Sequence, residues 1–311
     1  MSKIEWTEKT WNPMSGCTKI SDGCKNCYAE TMAKRLKAMG IKEYENGFAV
    51  TLHPSRLREP LERKKPTMYF VSMGDLFHED VPFEFIDRVF AIIALTPHLT
   101  YQILTKRPER MRQYFERLKI NNVYYLKVPW ENLPVSKGYG DLFVANPPFT
   151  NVWLGVTAEN QEQADKRIPI LLDIPTAVRF VSIEPMLGAV DLSSIICKDY
   201  YKNQPDFAQY WTLDALRGNY SLNEPVENIV GGRGNKLDWV IVGGETGAKT
   251  RPLQYEWVKS IQAQCEAARV PFFFKKWGKI AYQRGQAMTN AKVFEGIIDG
   301  VECRAMPKMM A

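Results

Sequence analysis

Three of the six cysteines fall within eleven residues, as Gly16-Cys17-Thr18-Lys19-Ile20-Ser21-Asp22-Gly23-Cys24-Lys25-Asn26-Cys27-Tyr28. The spacing is Cys-x6-Cys-x2-Cys. Thiolates are soft ligands suited to zinc or to iron–sulfur clusters. In a reducing compartment such clustering predicts metal rather than disulfides. A structural zinc takes four ligands, and no cysteine or histidine stands nearby to be the fourth. His53 is the closest histidine, and Cys197 is far along the chain. Three thiolates on a four-iron cluster would leave one iron open, and an open iron is useful only if something binds it. Cys197, Cys265 and Cys303 are scattered. Cys265 lies at core spacing on a predicted helix and reads as buried filler.

A second set of chemical groups follows predicted strands. Met68–Met73 contains Ser72 and runs into Asp75. Thr100–Leu104 runs into Thr105-Lys106-Arg107. Val152–Val156 leads to Thr157, Glu159 and Asn160, and Val178–Ile183 leads to Glu184. Trp239–Val242 leads to Gly243-Gly244-Glu245, and Phe272–Lys275 ends at Lys276-Trp277. In parallel α/β folds the ligand site lies at the carboxyl ends of the strands. Helix N-caps and first-turn carboxylates are the structural alternative. For the basic residues it is a solvated face or ion pairs with these acids. His78 reads equally as a site residue or a satisfied loop histidine. Gly243-Gly244 lacks the Gly-x-Gly-x-x-Gly dinucleotide pattern.

These residues need elements to position them. Short β-branched or aromatic runs alternate with amphipathic segments, the signature of repeated βα units. A first strand is expected near Thr10–Met14. Helices are expected over Cys27–Met39, Phe83–Ala94, Pro108–Leu118, Gln161–Leu172 and Tyr255–Ala268. The expected fold is a single α/β domain over 1–311, a partial or full (β/α) barrel of about six or seven parallel strands; an open doubly wound sheet is the alternative. Aromatic-rich stretches at about 120–150 and 195–236 read as insertions, either lids or decoration.

Composition sets the outer bounds. The 311 residues are 45% apolar and 24% charged, as in ordinary globular proteins. There is no apolar run long enough for a membrane span. The opening residues lack a signal-peptide core, so a cytoplasmic protein is expected. A net charge of +6 is compatible with an anionic partner without requiring one. The basic run from Arg56 and Arg58 to Arg63-Lys64-Lys65 reads first as a solvated helix face.

The Cys24-Lys-Asn-Cys27-Tyr28-Ala29 segment after a first strand resembles the cluster loop of the radical S-adenosylmethionine superfamily, above all spore photoproduct lyase and its relatives. The whole chain also resembles a phage-encoded three-cysteine-motif family of unknown function. The shared landmarks are Trp11-Asn12-Pro13, Ser72-Met-Gly-Asp75, Leu104-Thr-Lys-Arg-Pro108, Ser182-Ile-Glu-Pro185, Val242-Gly-Gly-Glu-Thr246 and Pro271-Phe-Phe-Phe-Lys-Lys-Trp-Gly278. The commonest superfamily spacing has a first gap of three residues; here it is six.

The resemblance implies a 4Fe-4S cluster on Cys17, Cys24 and Cys27, with S-adenosylmethionine chelated at the open iron. It implies reductive cleavage of that cofactor to a 5′-deoxyadenosyl radical, with electrons from a flavodoxin or ferredoxin. By analogy, Asp75 would accept from the cofactor's ammonium with help from Ser72, and Lys106 would pair with its carboxylate. Thr157, Glu159 or Asn160 would bind ribose hydroxyls. Glu184, Gly244 and Glu245 would line the site, and Lys276 would meet an anionic substrate group. Aromatic insertions able to stack on bases, with the likeness to a repair lyase and to phage proteins, favour a nucleic acid or nucleotide substrate in the host cytoplasm. Two alternatives stay open: a non-catalytic zinc or iron–sulfur binding protein, and a radical enzyme acting on a small metabolite or peptide.

Overall fold

Seven short strands, most of them buried, carry the architecture. They are β1 (Lys9–Thr10), β2 (Met68–Val71), β3 (Thr100–Thr105), β4 (Val152–Thr157), β5 (Val178–Ile183), β6 (Trp239–Gly243) and β7 (Phe272–Lys276). They pair in chain order into one all-parallel, curled half-barrel sheet. This is the partial (β/α) barrel expected from the alternation of patterns. The computed structural model describes residues 4–120, 123–134, 141–145, 150–197, 211–222, 230–247, 249–288 and 295–308. Every residue of β4 and β6 is buried, which explains their continuous apolar runs.

The connecting helices are α1 (Tyr28–Ala38), α2 (Phe83–Leu95), α3 (Pro108–Arg117), α4 (Gln161–Leu172) and α5 (Tyr255–Ala268). Their ends follow local chemistry. Pro108 opens α3, where its missing N–H costs nothing. Asn160 caps α4 by accepting from the Gln163 N–H at 3.0 Å. Arg269 closes α5 in the left-handed conformation, with φ 55°.

The chain divides into two compact units. The first holds 1–20, 27–154 and 174–177; the second holds 21–26, 155–173 and 178–311. In the first unit the expected strand near Thr10–Met14 is interrupted. β1 stops at Thr10, and Met14–Ser15 pairs antiparallel with Thr51–Leu52. The cause is Trp11-Asn12-Pro13. Trp11 is fully buried, and its indole N–H donates to the Arg56 carbonyl at 2.8 Å. The Asn12 Oδ1 accepts the N–H groups of Ser72 and Met73 at 3.0 and 2.9 Å. That side chain replaces the ladder, so β2 ends at Val71 instead of Met73.

The two insertions contain β-structure of their own. Val123–Pro129 pairs antiparallel with Lys119–Ile120 and Asp141–Ala145. Ile195–Ile196, Trp211–Asp214, Asn219–Leu222 and Val230–Arg233 form a four-stranded antiparallel sheet in the second unit. Residues 121–122, 135–140, 146–149, 198–210 and 223–229 of the insertions lie outside the described residues. Among those described, no helix is long and apolar enough to cross a membrane.

One buried pair in the first unit carries a pH prediction. The Ser15 hydroxyl lies 2.8 Å from His53 Nε2, and both residues are buried. Burial, with the Arg56 charge nearby, pushes the His53 pKa below the ordinary histidine value. As pH falls, the unfolded chain takes up this proton first. The stabilisation is therefore complete above the unfolded value and is lost as pH falls through about 6.5. Equilibrium urea unfolding should show stability declining below that pH, by at most about 1.4 kcal/mol per pH unit for this group. His53→Gln should flatten part of the slope; an unchanged slope would refute the assignment.

Candidate functional site

Cys17 and Cys27 belong to the first unit and Cys24 to the second. Cys17 follows a backbone crossing in which the Gly16 N–H donates to the Met73 carbonyl at 3.0 Å. The Cys17 N–H donates to the Phe48 carbonyl at 3.2 Å. Cys27 sits at the N-cap of α1.

Arg107, just beyond β3, organises the first unit's polar cluster. It is 3% exposed, yet all five N–H groups of its guanidinium have acceptors. Nε reaches both Glu79 oxygens at 3.1 and 2.9 Å. Nη1 donates to the Cys17 Sγ at 3.3 Å and to the Asp75 Oδ2 at 3.2 Å. Nη2 donates to the Thr18 carbonyl at 3.2 Å and to its hydroxyl at 2.8 Å. Burial disfavours this cation, but Asp75, Cys17 and Glu79 outweigh the penalty and raise its pKa. His78 completes the cluster. Its Nδ1 accepts from the Asp80 N–H at 3.1 Å, which places the ring proton on Nε2, 2.8 Å from the Thr18 hydroxyl. Burial, then the Arg107 charge, lowers its pKa, favouring this neutral form.

Asp75 is the buried partner of Arg107. Its Oδ1 accepts from the Thr105 hydroxyl and the Phe77 N–H, and its Oδ2 from the Lys106 N–H and Arg107. A carboxylate offers about four acceptor positions, and the chain's own donors fill them. Asp75 therefore holds Arg107 in place through donors of its own chain. Ser72 is likewise engaged: its N–H and hydroxyl both face Asn12.

In the second unit, Glu159 follows β4 and is fully buried. Its Oε2 accepts from Arg167 Nη1 at 2.9 Å. Its Oε1 accepts the backbone N–H of Gly23, inside the cysteine loop, at 3.1 Å. The same Arg167 nitrogen donates to the Thr157 carbonyl at 2.7 Å. Glu245, after β6, forms a two-pronged pair with Arg251, at 2.6 and 3.1 Å, and accepts its N–H at 2.8 Å. Burial raises the Glu245 pKa, but bonds from Arg251 and the Asn26 side chain outweigh it and lower the net value. Asn26 also donates to the Lys249 carbonyl at 2.7 Å. Glu159 and Glu245, expected to face a cofactor, thus tether the Ser21–Asn26 segment that carries Cys24.

The remaining candidates divide differently. Glu184 pairs with Lys275 at 3.1 Å and lies against Gly243. Gly244 is a packing requirement: an added Cβ would stand 2.1 Å from the Trp277 carbonyl oxygen, and the Gly244 N–H donates to the Lys276 carbonyl. Asn160 is the cap of α4. Cys197 and Cys265 are buried, which pushes each thiol up to about 12. Arg167 and Arg251 escaped the sequence reading. The available signal was Arg167's place among Ala164, Ile168 and Leu171, where a charged residue needs a buried partner.

The donor chemistry suits an iron–sulfur cluster: three thiols on one moored loop, one already accepting an N–H from a buried cation. Among the described residues no three His, Cys, Asp or Glu side chains are gathered to hold a metal ion.

The chain is thus a curled half-barrel of parallel strands with a three-cysteine segment beyond the first strand and acids at the strand ends. A family model described as Protein of unknown function (DUF5131) matches residues 1–307, and the chain belongs to that family. No curated protein and no solved structure matches the chain.

Proposed function

We propose that this chain is a radical S-adenosylmethionine enzyme with Cys17, Cys24 and Cys27 as the ligands of a 4Fe-4S cluster. The observation that carries the reading is the mooring of the cysteine loop. Arg107 binds the Cys17 sulfur from the end of β3, and Glu159 binds the Gly23 N–H from the end of β4. A ligand loop fixed to strand ends is what a site on a parallel α/β sheet requires. When bound, a cluster with one open iron supplies S-adenosylmethionine chelation and one-electron cleavage of its sulfur–carbon bond.

The chain's own residues bind, orient and shield. Asp75 and Glu79 hold Arg107, Arg167 holds Glu159, and Arg251 holds Glu245. Lys106 is the group assigned to the cofactor's carboxylate and Lys276 to an anionic substrate group, with Ser72 assisting Asp75 at the cofactor's ammonium. A nucleic acid or nucleotide is the proposed substrate class, with a cytoplasmic flavodoxin or ferredoxin as electron donor.

Anaerobic reconstitution with iron, sulfide, reductant and S-adenosylmethionine tests the reading. Wild type should release 5′-deoxyadenosine, and the Cys17→Ala/Cys24→Ala/Cys27→Ala variant should fall to the no-enzyme level. Oligonucleotides or nucleotides should increase the release. Stoichiometric zinc in the purified protein, with no release under several reductants, would favour a non-catalytic metal protein instead.

A further inference from the structure

We infer that Arg107 is the positioning residue that sets the electronic environment of Cys17, through an N–H···S bond fixed by a buried Asp75–Arg107–Glu79 arrangement. This rests on the cluster reading above and goes beyond it, because it names the residue that tunes the site.

The geometry argues for a specific role. Any buried guanidinium needs an acceptor for each of its five N–H groups, and carboxylates are the strongest partners for its charge. Arg107 has two, Asp75 at 3.2 Å and Glu79 at 2.9 Å. It nevertheless spends one Nη1 hydrogen on the Cys17 sulfur at 3.3 Å and both Nη2 hydrogens on Thr18, the next residue. The planar fork thus holds the cysteine and the residue after it in one rigid grip, which a lysine's single ammonium cannot reproduce. Asp75 is buried and takes four donors, so it cannot swing away with the cation. Hydrogen bonds to sulfur and nearby net charge are what set the potential of an iron–sulfur centre. A buried cation donating to a ligand sulfur favours the more electron-rich, reduced state. The exposed Glu79, with 63% of its side chain accessible, works against it.

Electrostatic tuning predicts opposite signs for two neighbouring substitutions, which a merely loosened loop does not. The experiment is a redox titration of the reconstituted cluster, followed by electron paramagnetic resonance, in wild type, Arg107→Gln, Arg107→Lys and Glu79→Gln. Arg107→Gln should favour the oxidised state about tenfold, a shift of about 59 mV to more negative potential for one electron. Arg107→Lys should fall between that and wild type. Glu79→Gln, a surface change that preserves folding, should shift to more positive potential. If Arg107→Gln does not fold, the lysine and Glu79 variants decide the matter. A cluster whose potential is unmoved, or moves in the same direction for Arg107 and Glu79 variants, overturns the inference alone. A wild type that binds no cluster overturns the reading beneath it as well.

Discussion

Arg167→Met lowers the stability of the chain by about 3–5 kcal/mol in equilibrium urea unfolding, as expected when one partner of a buried ion pair is removed. Arg167 is 2% exposed and Glu159 is completely buried, so bulk solvent does not screen the charge left behind. The surviving Glu159 carboxylate keeps the Gly23 N–H but loses its cation, and the Thr157 carbonyl loses its Arg167 bond. Glu159→Gln is costly for the mirror reason, since Arg167 is then left charged and buried. The double variant Glu159→Gln/Arg167→Met should recover about 2 kcal/mol or more of the summed loss, because no net charge remains inside. Recovery is incomplete, as the Thr157 carbonyl still lacks its Arg167 donor. Strict additivity of the two single losses would show that the pair is not the source of the effect. Glutamine retains an acceptor for the Gly23 N–H, whereas Glu159→Leu does not. Hydrogen exchange at Gly23 should therefore accelerate in the leucine variant and stay slow in the glutamine variant.

That ion pair marks the boundary of what the sequence made legible. The strands were readable because each is a short buried run between turn residues, and helices such as α2 because Phe85, Ile86, Val89, Phe90 and Ile93 repeat at helical spacing. The acids after the strands were readable by position. Their partners were not. Glu159 meets Gly23 across 136 residues and Asp75 meets Arg107 across 32. No local pattern encodes which cation reaches which carboxylate. Position alone left two roles open for these acids, an external ligand or ion pairs and caps, and in the structure Asp75, Glu159 and Glu245 each pair with an arginine, Glu159 and Glu245 also meeting the cysteine loop. The interrupted first strand was hidden for a related reason: Asn12 acts through a side-chain carbonyl on a segment 60 residues away. The cysteine loop was legible because its donors are adjacent in sequence.

Gly16→Ala, one residue before Cys17, should cost about 2–5 kcal/mol, combining left-handed backbone strain with overpacking. Gly16 has φ +90°, a conformation alanine resists. Its Cβ would stand 2.2 Å from the Ala49 carbonyl oxygen and 2.7 Å from that of Phe48. Both obstacles are backbone atoms, so no side-chain rotation relieves them. The Phe48 carbonyl is also the acceptor of the Cys17 N–H, so pushing it away releases the cysteine. Gly40→Ala is the matched control. Gly40 has φ +73° with nothing within 4 Å of its virtual Cβ, so it carries the strain without the clash. It should cost about 1 kcal/mol. The difference between the two, measured by urea unfolding, isolates the close approach at Gly16. Equal losses would mean that Ala49 and Phe48 yield freely and that the chain does not fix the entry to the cysteine loop. Iron bound per chain after reconstitution should fall for Gly16→Ala and hold for Gly40→Ala, because only the first change disturbs the backbone from which the Cys17 sulfur projects.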